Sequence, residues 1–185
     1  MKECSVFKRN IPNLISMVRI LGTVCLLFLE PLSIMFYIIY TVSGISDALD
    51  GWLARHMKLE SALGARLDSV ADLLFYAVML TRIFPVMWIR LPKKIWIIVG
   101  IIIGVRLCSY VVAACKYKCF ASIHTYMNKL TGAAVFLIPY FLLYPAFVPY
   151  SVLVCVIALL ASAEELLIHL HSNKYSEDIK SIHSL

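Results

Sequence analysis

A chain of 185 residues that is 62% hydrophobic and 15% charged, with a mean hydropathy of +0.87, is more apolar than a soluble globular domain, where roughly 45–50% of residues are apolar and about 25% charged. That excludes a soluble fold and predicts an all-α, polytopic membrane domain over residues 1–185, because a span takes about 20 apolar residues and about six of them fill the length. The formal net charge of +6 comes from Lys and Arg beside apolar segments, which suits anionic lipid headgroups or a phosphorylated substrate and argues against a nucleic-acid partner.

The first apolar run follows Lys2, Lys8 and Arg9 and continues through Glu30 and Pro31 straight into a second apolar stretch. With no small-residue cleavage site behind it, the run predicts a retained span over 13–29 and not a signal peptide. Pro31 separates it from a second span over 32–52, and a third is predicted over 62–82. Pro85 and Pro92 then bracket a broken stretch that also carries Arg82, Arg90, Lys93 and Lys94. It reads as a short amphipathic segment at the interface, with Trp88 and Trp96 as anchors. Further spans are predicted over 95–115, 129–147 and, after a turn marked by Pro145 and Pro149, 150–170.

Six spans put both ends on one side, together with Arg55, Lys58, Lys116, Lys118, Lys174 and Lys180. The excess of Lys and Arg there predicts a multi-pass cell-membrane protein with both ends in the cytoplasm. The six cysteines form no CxxC pair, and several sit in predicted spans as small apolar side chains. His124, His169, His171 and His183 have no metal-ligand spacing with carboxylates and are read as interfacial.

Four of the five aspartates, Asp47, Asp50, Asp68 and Asp72, lie in or against these apolar runs, where each carboxylate costs about 2.5–3.5 kcal/mol. Asp47 and Asp50 are three apart and Asp68 and Asp72 four apart, so each pair occupies one face of its helix, and the two faces can be turned toward each other. Four converging carboxylates require protonation, basic partners or bound cations. Two divalent ions balance them outright, and an all-oxygen donor set suits Mg²⁺ or Mn²⁺ rather than zinc. The plainer alternative is structural pairing with Arg55, Arg66 and Arg106, although membrane helices associate more cheaply through small residues.

The order Asp47-x-x-Asp50-Gly51-x-x-Ala54-Arg55, eight residues, then Gly64-x-x-x-Asp68-x-x-x-Asp72 resembles without a gap the signature of the CDP-alcohol phosphatidyltransferase family. The likeness is carried by residues 47–72; the six-span layout and the opening Ile11-Pro12-Asn13-Leu14-Ile15-Ser16 with Arg19 agree with it more loosely. The resemblance implies a metal-dependent transferase of phospholipid biosynthesis that moves a phosphatidyl group from CDP-diacylglycerol to a small alcohol and releases CMP. It implies a dinuclear Mg²⁺ or Mn²⁺ site open to the cytoplasm, with Asp47, Asp50, Asp68 and Asp72 as ligands and Asp72 also as general base. It further implies that Asp50, Gly51, Ala54 and Gly64 meet the CDP donor, that Arg55 contacts its diphosphate, and that the protein is a homodimer.

Arg106, Lys116, Lys118 and Lys129, around the ends of the predicted fourth and fifth spans, suit a phosphorylated acceptor; an ordinary positive-inside loop has the same composition. The opening segment resembles the glycerophosphate-using members of the family and makes glycerol 3-phosphate the leading acceptor. Asp68-Ser69-Val70-Ala71-Asp72 is closer to serine-using members, and Asn128-Lys129-Leu130-Thr131-Gly132 is only partly like the glycerophosphate pattern, so serine and inositol-type acceptors stay open. A cation transporter is the alternative from another class, but its carboxylates would be spread along a conduit and not crowded at one end of adjacent spans.

Overall fold

The computed structural model describes residues 16–57, 62–118 and 125–172, with side chains described over 16–46, 70–118 and 125–172. All regular elements among them are helices, and they fall into two compact units, Met1–Ile89 and Arg90–Leu185.

The first unit contains α1 (Ser16–Phe28), α2 (Ile34–Met57) and α3 (Ala62–Arg82), followed by the short α4 (Phe84–Arg90) at the boundary between the units. Pro31 stops the chain after α1, Leu32 takes a left-handed φ of 66°, and Ser33 opens α2 as its N-cap, its Oγ accepting the Phe36 N–H at 3.2 Å; this satisfies one of the orphan donors of the first turn. α1 and α2 approach closely at Gly22, where an added Cβ would lie 3.0 Å from Ser43 Oγ and 3.5 Å from Ile39 Cγ2. α2 meets α3 through stacked Tyr40 and Phe75 rings, 5.4 Å between centroids.

Two polar contacts fix α1 against α3. Arg19 lies 3.4 Å from Asp72, and Arg82 donates to the Leu29 carbonyl at the C-terminal end of α1. Both pairs are 53 positions apart in sequence, so the two helices run parallel, with α2 antiparallel between them in chain order. The start of α1, the end of α2 and the start of α3 therefore lie at one end of the unit. α3 and α4 meet at Ile83 with a bend of 40°, where Pro85 can neither donate to the preceding turn nor fit its carbonyl.

The second unit contains α5 (Lys93–Tyr117), α6 (Tyr126–Phe136), α7 (Ile138–Phe141) and α8 (Phe147–His171). Lys118 ends α5 in a left-handed conformation with φ 56° and returns its N–H to the Ala114 carbonyl. Thr125 caps α6 by accepting the Asn128 N–H at 3.2 Å. α8 packs along α5 and α6, with the Tyr150 hydroxyl donating to the Ala134 carbonyl at 2.7 Å and the Tyr150 ring stacked on Phe141 at 4.1 Å.

α5 and α8, each 25 residues, are long and apolar enough to cross a bilayer, since that length spans about 37 Å against a hydrocarbon core of about 30 Å. Over the residues with described side chains, the Val70–Arg82 part of α3 with Phe84–Arg90 meets the same test as one bent span, while α1 (Ser16–Phe28) and the Ile34–Ser46 part of α2 are shorter apolar stretches. The chain is an all-α membrane protein. The fifth predicted span, 129–147, is not one helix: it divides into α6, α7 and a turn. Leu137 separates the two helices, Pro139 stands in the first turn of α7, and Pro145 lies in the turn before α8. Pro149, expected to precede the last span, sits instead in the first turn of α8, where its missing N–H is no loss.

Candidate active site

The helical register decides where the aspartates stand. Arg19 and Asp72 are level across α1 and α3; Gly22, three residues further along α1, is level with Ser43 of α2. Four residues beyond Ser43, about 6 Å along the axis, comes Asp47, within about one turn of the Arg19–Asp72 level. Asp50 follows by about one turn on α2, and Asp68 precedes Asp72 by about one turn on α3. The α2 and α3 backbones thus carry all four positions to the same end of the first unit. The side chains of Asp47, Asp50, Gly51, Ala54, Arg55, Gly64 and Asp68 lie outside the described residues, as does Arg66.

Asp72 is described. Its side chain is 45% exposed, whereas that of Arg19 is 1% exposed. Arg55, Arg66 and Arg106 are the structural partners expected for the aspartates; among the described residues Asp72 pairs with Arg19 of the first helix, while Arg55 and Arg66 lie outside the described side chains. An arginine inside the apolar run 16–28 was the available signal, because a guanidinium there also needs an anion. Among the described residues no group of three or more His, Cys, Asp or Glu gathers as a metal site, and Asp47, Asp50 and Asp68 stand outside that set. The residues fit a hard divalent cation in two respects: the motif offers carboxylate oxygens, and the register brings both pairs to one end.

The basic residues read as an acceptor cluster have separate surroundings in the second unit. Lys116 donates to the carbonyls of His169 at 3.0 Å and Leu170 at 2.8 Å, so it caps the C-terminus of α8, where orphan carbonyls and the helix dipole favour a cation. Lys118 is the C-cap of α5, and Lys129 is exposed on α6. Arg106 lies about 15 Å along α5 from Lys116. It faces a polar cluster: Nη1 donates to Asn128 Oδ1 at 2.9 Å, Nε donates to the Tyr110 hydroxyl at 3.2 Å, and Nη2 lies 3.3 Å from Glu165 Oε2. Asn128 Nδ2 donates to the same Glu165 oxygen at 2.9 Å.

Arg82 and Arg90, expected at an interfacial segment, both serve helix ends. Arg82 binds the Leu29 carbonyl, and Arg90 donates to the Leu142 carbonyl at the end of α7 at 2.7 Å. His169, read as interfacial, is fully buried beside the Tyr117 ring, 5.6 Å between centroids, because the last turn of α8 packs on the end of α5. Glu165, also fully buried, was not singled out from sequence; a carboxylate one turn before His169 in an apolar run was the signal for it.

The sequence model of the family described as CDP-alcohol phosphatidyltransferase matches residues 9–163. The chain is 35% identical over 94 residues to a CDP-diacylglycerol--glycerol-3-phosphate 3-phosphatidyltransferase of Pseudomonas fluorescens, covering 46% of this chain and 48% of that protein. It is 36% identical over 103 residues to the protein of the same name from Wigglesworthia glossinidia brevipalpis, covering 51% and 57%. A chloroplastic/mitochondrial protein of that name from Arabidopsis thaliana is 55% identical over 42 residues, 23% of this chain and 14% of that protein. The chain spans about half the length of the two bacterial relatives. No solved structure matches it. With the family's sequence pattern running through both compact units and the complete aspartate motif carried on α2 and α3, the chain belongs to the CDP-alcohol phosphatidyltransferase family.

Proposed function

We propose that this protein transfers the phosphatidyl group of CDP-diacylglycerol to glycerol 3-phosphate, forming a phosphatidylglycerol phosphate and releasing CMP. The observation that carries the reading is the arrangement of the motif: both aspartate pairs at one end of the first unit, with Asp72 paired to a buried Arg19 at 3.4 Å. The choice of acceptor is supported by the printed names of the relatives, each a CDP-diacylglycerol--glycerol-3-phosphate 3-phosphatidyltransferase.

In this reading Asp47, Asp50, Asp68 and Asp72 hold a dinuclear Mg²⁺ or Mn²⁺ site. When bound, such ions supply neutralisation of the donor diphosphate and of the charge that develops on the departing CMP. The chain's own residues do the rest. Asp50, Gly51, Ala54 and Gly64 receive the CDP moiety, and Arg55 contacts the diphosphate. The acceptor hydroxyl oxygen forms a bond to the phosphorus that carries diacylglycerol, the bond from that phosphorus to the CMP oxygen breaks, and Asp72 takes the hydroxyl proton. Arg19, contributed by α1, holds the Asp72 carboxylate in position.

For the acceptor, Arg106, Lys118 and Lys129 carry the proposal, since the Lys116 ammonium is engaged with the His169 and Leu170 carbonyls. We also propose that residues 1–185 act as one membrane domain, a reading supported by the family match across both units, with its active site on the cytoplasmic face of the cell membrane and a homodimeric assembly. The deciding experiment incubates the purified full chain, with Mg²⁺ or Mn²⁺, with CDP-diacylglycerol and glycerol 3-phosphate, serine or inositol in turn. Identification of phosphatidylglycerol phosphate is expected; turnover with serine or inositol alone would overturn the acceptor assignment, and no CMP release with any alcohol would overturn the reaction.

A further inference from the structure

Within the second unit, three helices contribute to one connected polar group, beside which the buried His169 Nε2 lies 4.0 Å from Glu165 Oε1. α5 supplies Arg106, α6 supplies Asn128 and α8 supplies Glu165. Glu165 is fully buried, whereas the Arg106 side chain remains 29% exposed, so Arg106 is the more accessible member of the pair. A guanidinium has five N–H donors in a rigid plane. The protein engages one Nη1 donor on Asn128 and the Nε donor on Tyr110, Nη2 lies 3.3 Å from Glu165 Oε2 as an ion pair, and the Tyr110 ring lies 5.8 Å from the guanidinium centre. The two terminal nitrogens keep further donors for something else.

A carboxylate in an apolar helix contact costs about 2.5–3.5 kcal/mol before its partners are counted. Joining three helices does not require that cost, because small residues and hydrogen bonds between neutral side chains accomplish the same. A planar donor set that must meet an oxyanion in one orientation does gain from it: bidentate recognition depends on the direction of the fork as much as on its charge. Glu165 meets Arg106 directly and also binds Asn128, which in turn accepts from Arg106, closing a triangle that fixes the guanidinium plane.

We propose that Glu165 is a positioning residue for the acceptor, orienting Arg106, directly and through Asn128, so that the remaining donors of its terminal nitrogens are presented to the acceptor's phosphate. This rests on the reading of Arg106 as an acceptor-binding residue. Two effects of the carboxylate oppose each other: as a negative charge it repels a phosphate, and as an anchor it orients the group that binds one. Orientation prevails.

The test uses the full chain in lipid vesicles and measures kcat and the KM for both substrates, with the melting temperature alongside. Glu165→Gln keeps the side-chain shape and an oxygen for Asn128 but loses the charge toward Arg106. It should raise the KM for glycerol 3-phosphate about tenfold, the value of one charge-assisted hydrogen bond, and leave the KM for CDP-diacylglycerol within about twofold. Because Glu165 acts through Arg106, the double variant Arg106→Lys, Glu165→Gln should bind the acceptor no worse than Arg106→Lys alone. A fall in acceptor KM in Glu165→Gln, an equal rise in both KM values, or additive effects in the double variant would each overturn the proposal. If Arg106→Lys raises the acceptor KM and Glu165→Gln does not, the positioning role fails and the reading of Arg106 survives; if Arg106→Lys leaves the acceptor KM unchanged, the reading itself fails and the inference with it.

Discussion

Replacing Arg19 with Met tests the link between the first helix and the aspartate motif. Met has similar length and suits the wholly buried environment, so the variant removes the cation and little volume. At 3.4 Å, two unit charges at an effective dielectric of about 20 attract by about 5 kcal/mol. The Asp72 side chain is 45% exposed, so water recovers much of this once the arginine is gone, and the burial cost of the guanidinium disappears with it. The expected net loss of stability is about 1–3 kcal/mol, measured as a lower unfolding midpoint in detergent micelles. Turnover should fall further than stability suggests, by about tenfold or more, because Asp72 is then held less well against the reacting hydroxyl. Asp72→Asn alone should reduce kcat by about two to four orders of magnitude, and the double variant should be scarcely slower than Asp72→Asn, since Arg19 acts on the reaction through Asp72. An Arg19→Met enzyme with wild-type midpoint and wild-type kcat, or strictly additive losses in the double variant, would refute the pairing as a functional contact.

Three further outcomes are expected. Activity should vanish on chelation and return with Mg²⁺ or Mn²⁺, and Asp47→Asn should weaken metal-dependent CDP-diacylglycerol binding more than Asp72→Asn does, as read by equilibrium binding with and without metal. Lys116→Met should lower the unfolding midpoint by the equivalent of about 0.5–1 kcal/mol through loss of the α8 cap, with the acceptor KM changed less than in Arg106→Lys; a larger acceptor effect would return Lys116 to the substrate site.

Much of this protein is determined by local sequence. Apolar runs of span length make an all-α membrane protein inevitable, and 62–82, 95–115 and 150–170 were placed to within a few residues, because prolines and charges punctuate helices locally. The aspartate motif was also readable, since its spacings have meaning on any helix. The break in the fifth predicted span was less legible: the apolar composition of 129–147 is continuous, and only the backbone around Leu137 and Pro139 divides it. Which partner a buried charge takes is a different kind of question. Arg19 and Asp72 are 53 positions apart, and Arg106 reaches Asn128 and Glu165 from other helices, so no local pattern couples them; the tertiary structure alone decided these pairs. It likewise turned Arg82, Arg90 and Lys116 from a surface charge pattern into caps on the ends of α1, α7 and α8. A helix end exposes carbonyls that need donors, and which cation lies within reach of them is set by helix packing.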